Sequence, residues 1–169
     1  MSKQENPNHE MIVVSFADEN MAGEVLDTIN KMEDKAVVDL KSGAVVVRDA
    51  SGKVTIKETS DFDAKQGAIG GAIAGSLLSL LGGSLIKGAI LGAAGVALAG
   101  KVIDLGLDDD FLKEIGDSLG TSSSAIVALV DFDQADQAMA ELDKFEGGTI
   151  LHHSLDPEVY EKLSTAVED

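Results

Sequence analysis

The sequence predicts an α+β fold in which one antiparallel sheet is built from two strand–helix–strand units. Two observations support this prediction: a β-branched run of strand length leads each half of the chain, and an amphipathic helical pattern follows each run. A third observation separates the halves, because an apolar block rich in glycine and alanine extends from Gly67 to Gly100. At 169 residues the chain suits one domain that carries an insertion.

The first half of the chain reads as strand, helix, strand and strand. Asp18 is placed to cap the helix, whose apolar face recurs every three or four residues as far as Met32. Ser42 and Gly43 are predicted to bend the second strand, and residues 49–52 form the turn before the third. The three predicted strands are residues 11–16, 37–47 and 53–57, with the last at an edge of the sheet.

The second half repeats this pattern behind a short acidic helix. Asp108 is predicted to cap that helix and Asp133 to cap the next one. Pro157 opens the terminal helix at the position where its missing N–H costs least. The predicted elements are a helix over 111–119, a strand over 124–132, a helix over 135–145, a strand over 149–153 and a helix from Pro157.

The similarity of the two halves predicts a ferredoxin-like sandwich, with the leading strands in its interior and the helices on one face of the sheet. The apolar block is then an insertion between the halves. The predicted boundaries are a flexible tail over 1–9, half-domains over 10–63 and 105–155, a glycine-rich helical hairpin over 64–104, and a C-terminal helix over 156–169.

Composition excludes several classes of function. The formal net charge is −17, and an acidic surface repels nucleic-acid phosphates, so no nucleic-acid partner is expected. The absence of cysteine rules out disulfides, thiolate metal sites and cysteine nucleophiles. The polar N-terminus has no apolar core of a signal peptide, which favours a cytoplasmic origin.

The apolar block predicts two helices that pack closely. Gly82 and Gly83 form the turn of the predicted hairpin, and residues 64–81 and 84–104 form its limbs. Small residues spaced four apart are the packing pattern of tightly paired helices, in lipid or in a dry protein interface. The predicted glycine-zipper positions are Gly67, Gly71, Gly75, Gly88, Gly92, Ala89, Ala93 and Ala97.

The length of the first limb makes a membrane span marginal. Residues 67–81 give about 22 Å of helix, whereas a hydrocarbon core of about 30 Å needs about 20 residues. Lys87 and Lys101 flank the uncharged part of the second limb and could snorkel to the interfaces. Two interpretations stay open: the hairpin packs in lipid, or it is buried between copies of the chain.

A search for catalytic and binding motifs finds no site. The acidic run at 108–110 is explained by helix capping better than by calcium, because the spacing of a calcium loop is absent. His152 and His153 are adjacent on a strand and point to opposite faces, one half-buried and the other solvated, so they do not share a metal. No dinucleotide fingerprint or nucleophile elbow is present. The sequence therefore predicts no catalytic residue, cofactor or metal.

Several short segments resemble the family known as domain of unknown function 1269, bacterial and archaeal proteins usually described as membrane proteins. The resemblance covers most of the chain from Met11 to Leu155, and it implies an architecture and a membrane association but no reaction. The segments that carry it are residues 44–49, 52–54, 107–116, 123–125 and 147–151, together with the glycine-rich middle.

These observations predict a non-enzymatic, membrane-associated homo-oligomer. The glycine-rich hairpin would pack in lipid, against copies of itself, or both, and the α+β domain would face the cytoplasm. One alternative is a soluble self-assembling protein with hairpins in a buried oligomer core. Another is a small-ligand-binding regulatory domain, which rests on analogy with other ferredoxin-like dimers.

Overall fold

The computed structural model describes residues 9–31, 40–57, 64–81, 90–91 and 104–168. The strands are β1 (His9–Phe16), β2 (Ser42–Arg48), β3 (Lys53–Lys57), β4 (Ile90–Leu91), β5 (Ser123–Asp131) and β6 (Thr149–Leu155). The helices are α1 (Met21–Asn30), α2 (Ala64–Leu81), α3 (Asp109–Ser118), α4 (Ala135–Leu142) and α5 (Pro157–Glu168).

The strands form one sheet in the order β4-β3-β2-β5-β1-β6. Strands β3, β2, β5, β1 and β6 pair in that order, each antiparallel to the next. The two-residue β4 adds to β3 in parallel. The two strands that lead the halves, β1 and β5, lie side by side, with Val13 opposite Val127. Each of them has a further neighbour on its other side. The predicted α+β class with an antiparallel sheet is confirmed.

Helices cover both faces of the sheet. Ile12 and Val14 lie in the apolar cluster beneath α1 and α4, whereas Met11 and Val13 lie in the cluster beneath α2, α3 and α5. The helices of the two strand–helix–strand units, α1 and α4, share one face as expected, but α2, α3 and α5 cover the other face. The reason is that the central strands are apolar at consecutive positions, so both of their faces must be covered.

Helix α2 is part of the core of this domain. Residues 72–78 are all buried, and the helix contacts β2, β3 and β5 as well as α3 and α5. A helix that is apolar around its whole circumference is stable in water only when other elements surround it, and here the chain supplies them itself. Of the predicted packing glycines on α2, Gly75 is buried, Gly71 is half-buried and Gly67 lies towards the start of the helix.

The closest approach of α2 to the sheet occurs at a different glycine. A Cβ atom on Gly70 would lie 2.5 Å from the carbonyl oxygen of Gly43 in β2, so two glycines meet where helix and strand cross. Gly43 was predicted to bend its strand. Instead it pairs in regular register with Ala128, and Gly70 approaches its backbone atoms.

Most of the predicted second limb lies outside the described residues. The turn glycines, Gly82 and Gly83, lie there with the packing positions Gly88, Ala89, Gly92, Ala93 and Ala97. At Ile90 and Leu91 the chain is a strand and not a helix, because these residues pair with Lys53 and Val54 along β3. Of the helices in the described residues, none has both the length and the apolar character needed to cross a bilayer.

Two predicted helix caps are replaced by other contacts. Asp18 accepts a hydrogen bond from the Asn20 amide, and the start of α1 is held from across the sheet, where Ser124 Oγ on β5 accepts from the Ala22 amide at 3.0 Å. Asp133 lies in a 3-10 turn that precedes α4, with no side-chain cap at the helix itself. The other predicted cap is confirmed, since Asp108 Oδ1 accepts from the Phe111 amide at 2.8 Å.

Candidate functional site

All three histidines of the chain lie on β1 and β6, the last two strands at one edge of the sheet. His9 is the first residue of β1, although the sequence placed it in the N-terminal tail, and the other two lie on β6. The antiparallel register puts Ile12 opposite His152 and Met11 opposite His153. We refer to His9, His152 and His153 with their carboxylate partners as the histidine cluster.

Glu10 on β1 bonds to two side chains of β6, His152 and Ser154. Its side chain is only 5% exposed, and its two oxygens contact His152 Nδ1 at 2.6 Å and Ser154 Oγ at 2.8 Å. The serine hydroxyl donates to the carboxylate. An ionised carboxylate can only accept, so Nδ1 of His152 is the donor in this contact, and in the neutral ring Nε2 is the nitrogen with the lone pair. His152 itself is 51% exposed.

This arrangement is not a nucleophilic triad. In a triad the carboxylate contacts one ring nitrogen of histidine while the hydroxyl contacts the other, so that the histidine can take the hydroxyl proton. Here Ser154 and His152 both bond to the same carboxylate, Glu10. The hydroxyl proton is directed at a group that orients the ring, and the geometry has no path for activating the serine.

His153 occupies the opposite face of β6. Its ring lies 5.1 Å from that of Phe111, and its Nε2 lies 3.8 Å from a carboxylate oxygen of Asp108 at the start of α3. Its side chain is 28% exposed, against 51% for His152. The prediction that the two histidines point to opposite faces, one half-buried and one solvated, is confirmed.

His9 joins β1 to α5 and β5. Its ring stacks on Tyr160 with 4.0 Å between centroids, and its Nε2 lies 3.7 Å from Asp131, which Lys41 also approaches at 3.7 Å. Burial lowers the pKa of His9; the Asp131 carboxylate acts in the opposite direction and Lys41 lowers it further. The ring is therefore neutral at pH 7, and its main contribution is the stacked contact with α5.

The contacts of the histidine cluster were not predicted from the sequence. Glu10 and His152 are 142 residues apart, and only the β1–β6 register brings them together. The one local signal was Glu10 beside a run of apolar strand residues, where a charge needs a partner. Within the described residues, no group of three or more potential ligands is arranged to hold a metal ion.

Comparison with known families identifies the family to which the chain belongs. The model of the family described as protein of unknown function (DUF1269) matches residues 67–168, which is more than half of the sequence. The protein belongs to DUF1269. The matched range includes most of α2, all of β5 and β6, and both histidines of β6. No curated protein and no solved structure matches the chain.

Proposed function

We propose that this DUF1269 protein is a non-enzymatic homo-oligomer whose copies associate through the outer edge of β6. The observation that carries the proposal is the contrast between the two edges of the sheet. An edge strand presents unpaired N–H and C=O groups to any other strand, and proteins that stay monomeric protect such edges.

The β3 edge is protected in two ways. Lys53 and Lys57 are exposed at the two ends of the strand, and β4 pairs along its first residues. Lysines and short covering strands are common devices against edge-to-edge pairing. This edge is therefore a poor template for a second copy.

The β6 edge has none of these devices. Its seven residues, TILHHSL, include no lysine, arginine, proline or acid, in a chain with 30 acidic residues. Within the described part of the chain, β6 pairs with β1 on one side and with no strand on the other. An antiparallel β6–β6 pair would continue the sheet across a two-fold axis, the symmetry most common in homo-oligomers.

The proposal includes a finer description of the fold. The order β6-β1-β5-β2, with α1 and α4 on one face, corresponds to a ferredoxin-like unit, to which the α2, α3 and α5 layer is added. In such a unit β6 is an outer strand, which supports its use for association.

Cross-linking tests the edge directly. The chain has no cysteine, so His152→Cys introduces a single thiol in the middle of β6. We expect a mass of at least two chains by light scattering, and a disulfide-linked dimer of this variant after mild oxidation. Lys53→Cys on the protected edge is the matched control and should stay largely unlinked at the same concentration. A monomeric mass, or equal linking of both variants, would contradict the proposal.

A second candidate is association of the assembled protein with the cytoplasmic membrane, the α+β domain facing the cytoplasm. It is supported by the sequence from Gly82 to Gly100, in which Lys87 is the one charged residue. We expect membranes from expressing cells to retain the protein after an alkaline carbonate wash. Release into the supernatant would reject membrane insertion and leave the β6 edge as the proposed surface.

A further inference from the structure

His152 lies on an edge strand of the sheet and uses one of its two ring nitrogens within the chain. Its Nδ1 contacts Glu10 on β1, the strand on the inner side of β6. The two nitrogens of an imidazole lie on nearly opposite sides of the ring, so Nε2 faces away from the Glu10 carboxylate. Because the His152 side chain is 51% exposed, Nε2 of its neutral ring is open to a ligand from outside the chain.

The contact with Glu10 also makes that nitrogen a better ligand. Histidines that bind metals usually donate their other ring N–H to a carboxylate or carbonyl, which fixes the tautomer and raises the basicity of the ligating nitrogen. Glu10 is held in turn by Ser154, so the carboxylate has both of its oxygens engaged and its own position fixed. The groups that orient the ring are therefore complete within one chain, while the ligand set is not.

Antiparallel pairing of two β6 edges supplies the missing ligand. Residues directly opposite each other in such a pair have Cβ atoms about 4.5–5.5 Å apart. His152 lies close to the middle of β6, and a two-fold axis there places the His152 rings of the two copies on the same face. Two imidazole nitrogens that converge in this way favour divalent transition metals over calcium or magnesium.

We propose that two copies of this chain bind one divalent transition-metal ion between their β6 edges, with Nε2 of His152 from each copy as ligands. Water completes the coordination, and Glu10 of each copy is a positioning residue. The inference rests on the proposed association through β6 and names a ligand for that same surface.

Zinc titration of tag-free protein tests this inference. We expect calorimetry in excess magnesium, which occupies the acidic surface, to give one zinc ion per two chains. His152→Ala should lower the zinc affinity at least tenfold, whereas His153→Ala, one residue away on the opposite face, should leave it unchanged. Glu10→Gln should weaken binding by about 10–100-fold, the range found for carboxylates that support metal-bound histidines. One zinc ion per chain, or equal loss in both histidine variants, would overturn the inference.

Sedimentation with and without zinc separates the two proposals. One outcome is that dimers form through β6 in the presence of a chelator, as mapped by the cysteine variants, but bind no zinc. This result would overturn the metal site and support the association. Dimers that form only with zinc, and not in His152→Ala, would support the metal site and overturn association of the metal-free chains. Chains that stay monomeric in either condition would overturn both.

Discussion

Replacing Gly70 with alanine is expected to destabilise the protein by about 3 kcal/mol, although alanine is the better helix former. The new Cβ would lie 2.5 Å from the carbonyl oxygen and 2.8 Å from the carbonyl carbon of Gly43. Both are backbone atoms in a strand that is paired on each side, so neither can move without disturbing the sheet. The gain of about 1 kcal/mol in helix propensity does not offset this clash. Urea unfolding followed by circular dichroism measures the change.

Gly23→Ala is the matched control for this prediction. Gly23 also lies within a helix, α1, but a Cβ atom there would meet nothing within 4 Å. The same substitution should therefore stabilise the protein by about 0.5–1 kcal/mol, through helix propensity and a less flexible unfolded chain. If both variants shifted the unfolding midpoint in the same direction, the close crossing of α2 and β2 would be wrong.

The strands were predictable because their signal is local. β3 alternates between exposed and buried residues, and its range of 53–57 agrees with the structure. β5 and β6 were found from β-branched and apolar runs, with ends that differ by one or two residues. The turn predicted before β3 is also present in the structure. Asp49 accepts hydrogen bonds from the amides of Ser51 and Lys53, and Gly52 has a φ of 92°.

The packing of α2 was not predictable, because spacing alone does not identify the partner of a small-residue face. Small residues four apart allow any close neighbour, and the prediction from their spacing is another helix. The neighbour is a strand of the same chain, and the residue that Gly70 approaches, Gly43, lies 27 positions before it. No local pattern links Gly43 to Gly70. The same limit applies to Ser124, which caps α1 from 102 residues away.

Ile73→Ala is expected to lower the free energy of unfolding by about 2–5 kcal/mol. Ile73 is 1% exposed on α2, in the cluster that α2 shares with the sheet and with α5. Truncation removes buried apolar surface and leaves a cavity that rigid neighbours fill only partly. Ala68→Lys is the control, since Ala68 is exposed on the same helix and should change stability by no more than about 0.5 kcal/mol.

This pair of variants also distinguishes a core helix from an association helix. If α2 belongs to the core of each chain, the loss at Ile73 is the same at every protein concentration, because no second copy takes part in the contact. If α2 instead packed against other copies, the variant would dissociate the oligomer and its stability would depend on concentration. Urea unfolding of the variant at two protein concentrations a hundredfold apart therefore decides between these two possibilities. If the loss of unfolding free energy depended on protein concentration, α2 would be an association helix, as the spacing of Gly67, Gly71 and Gly75 predicts.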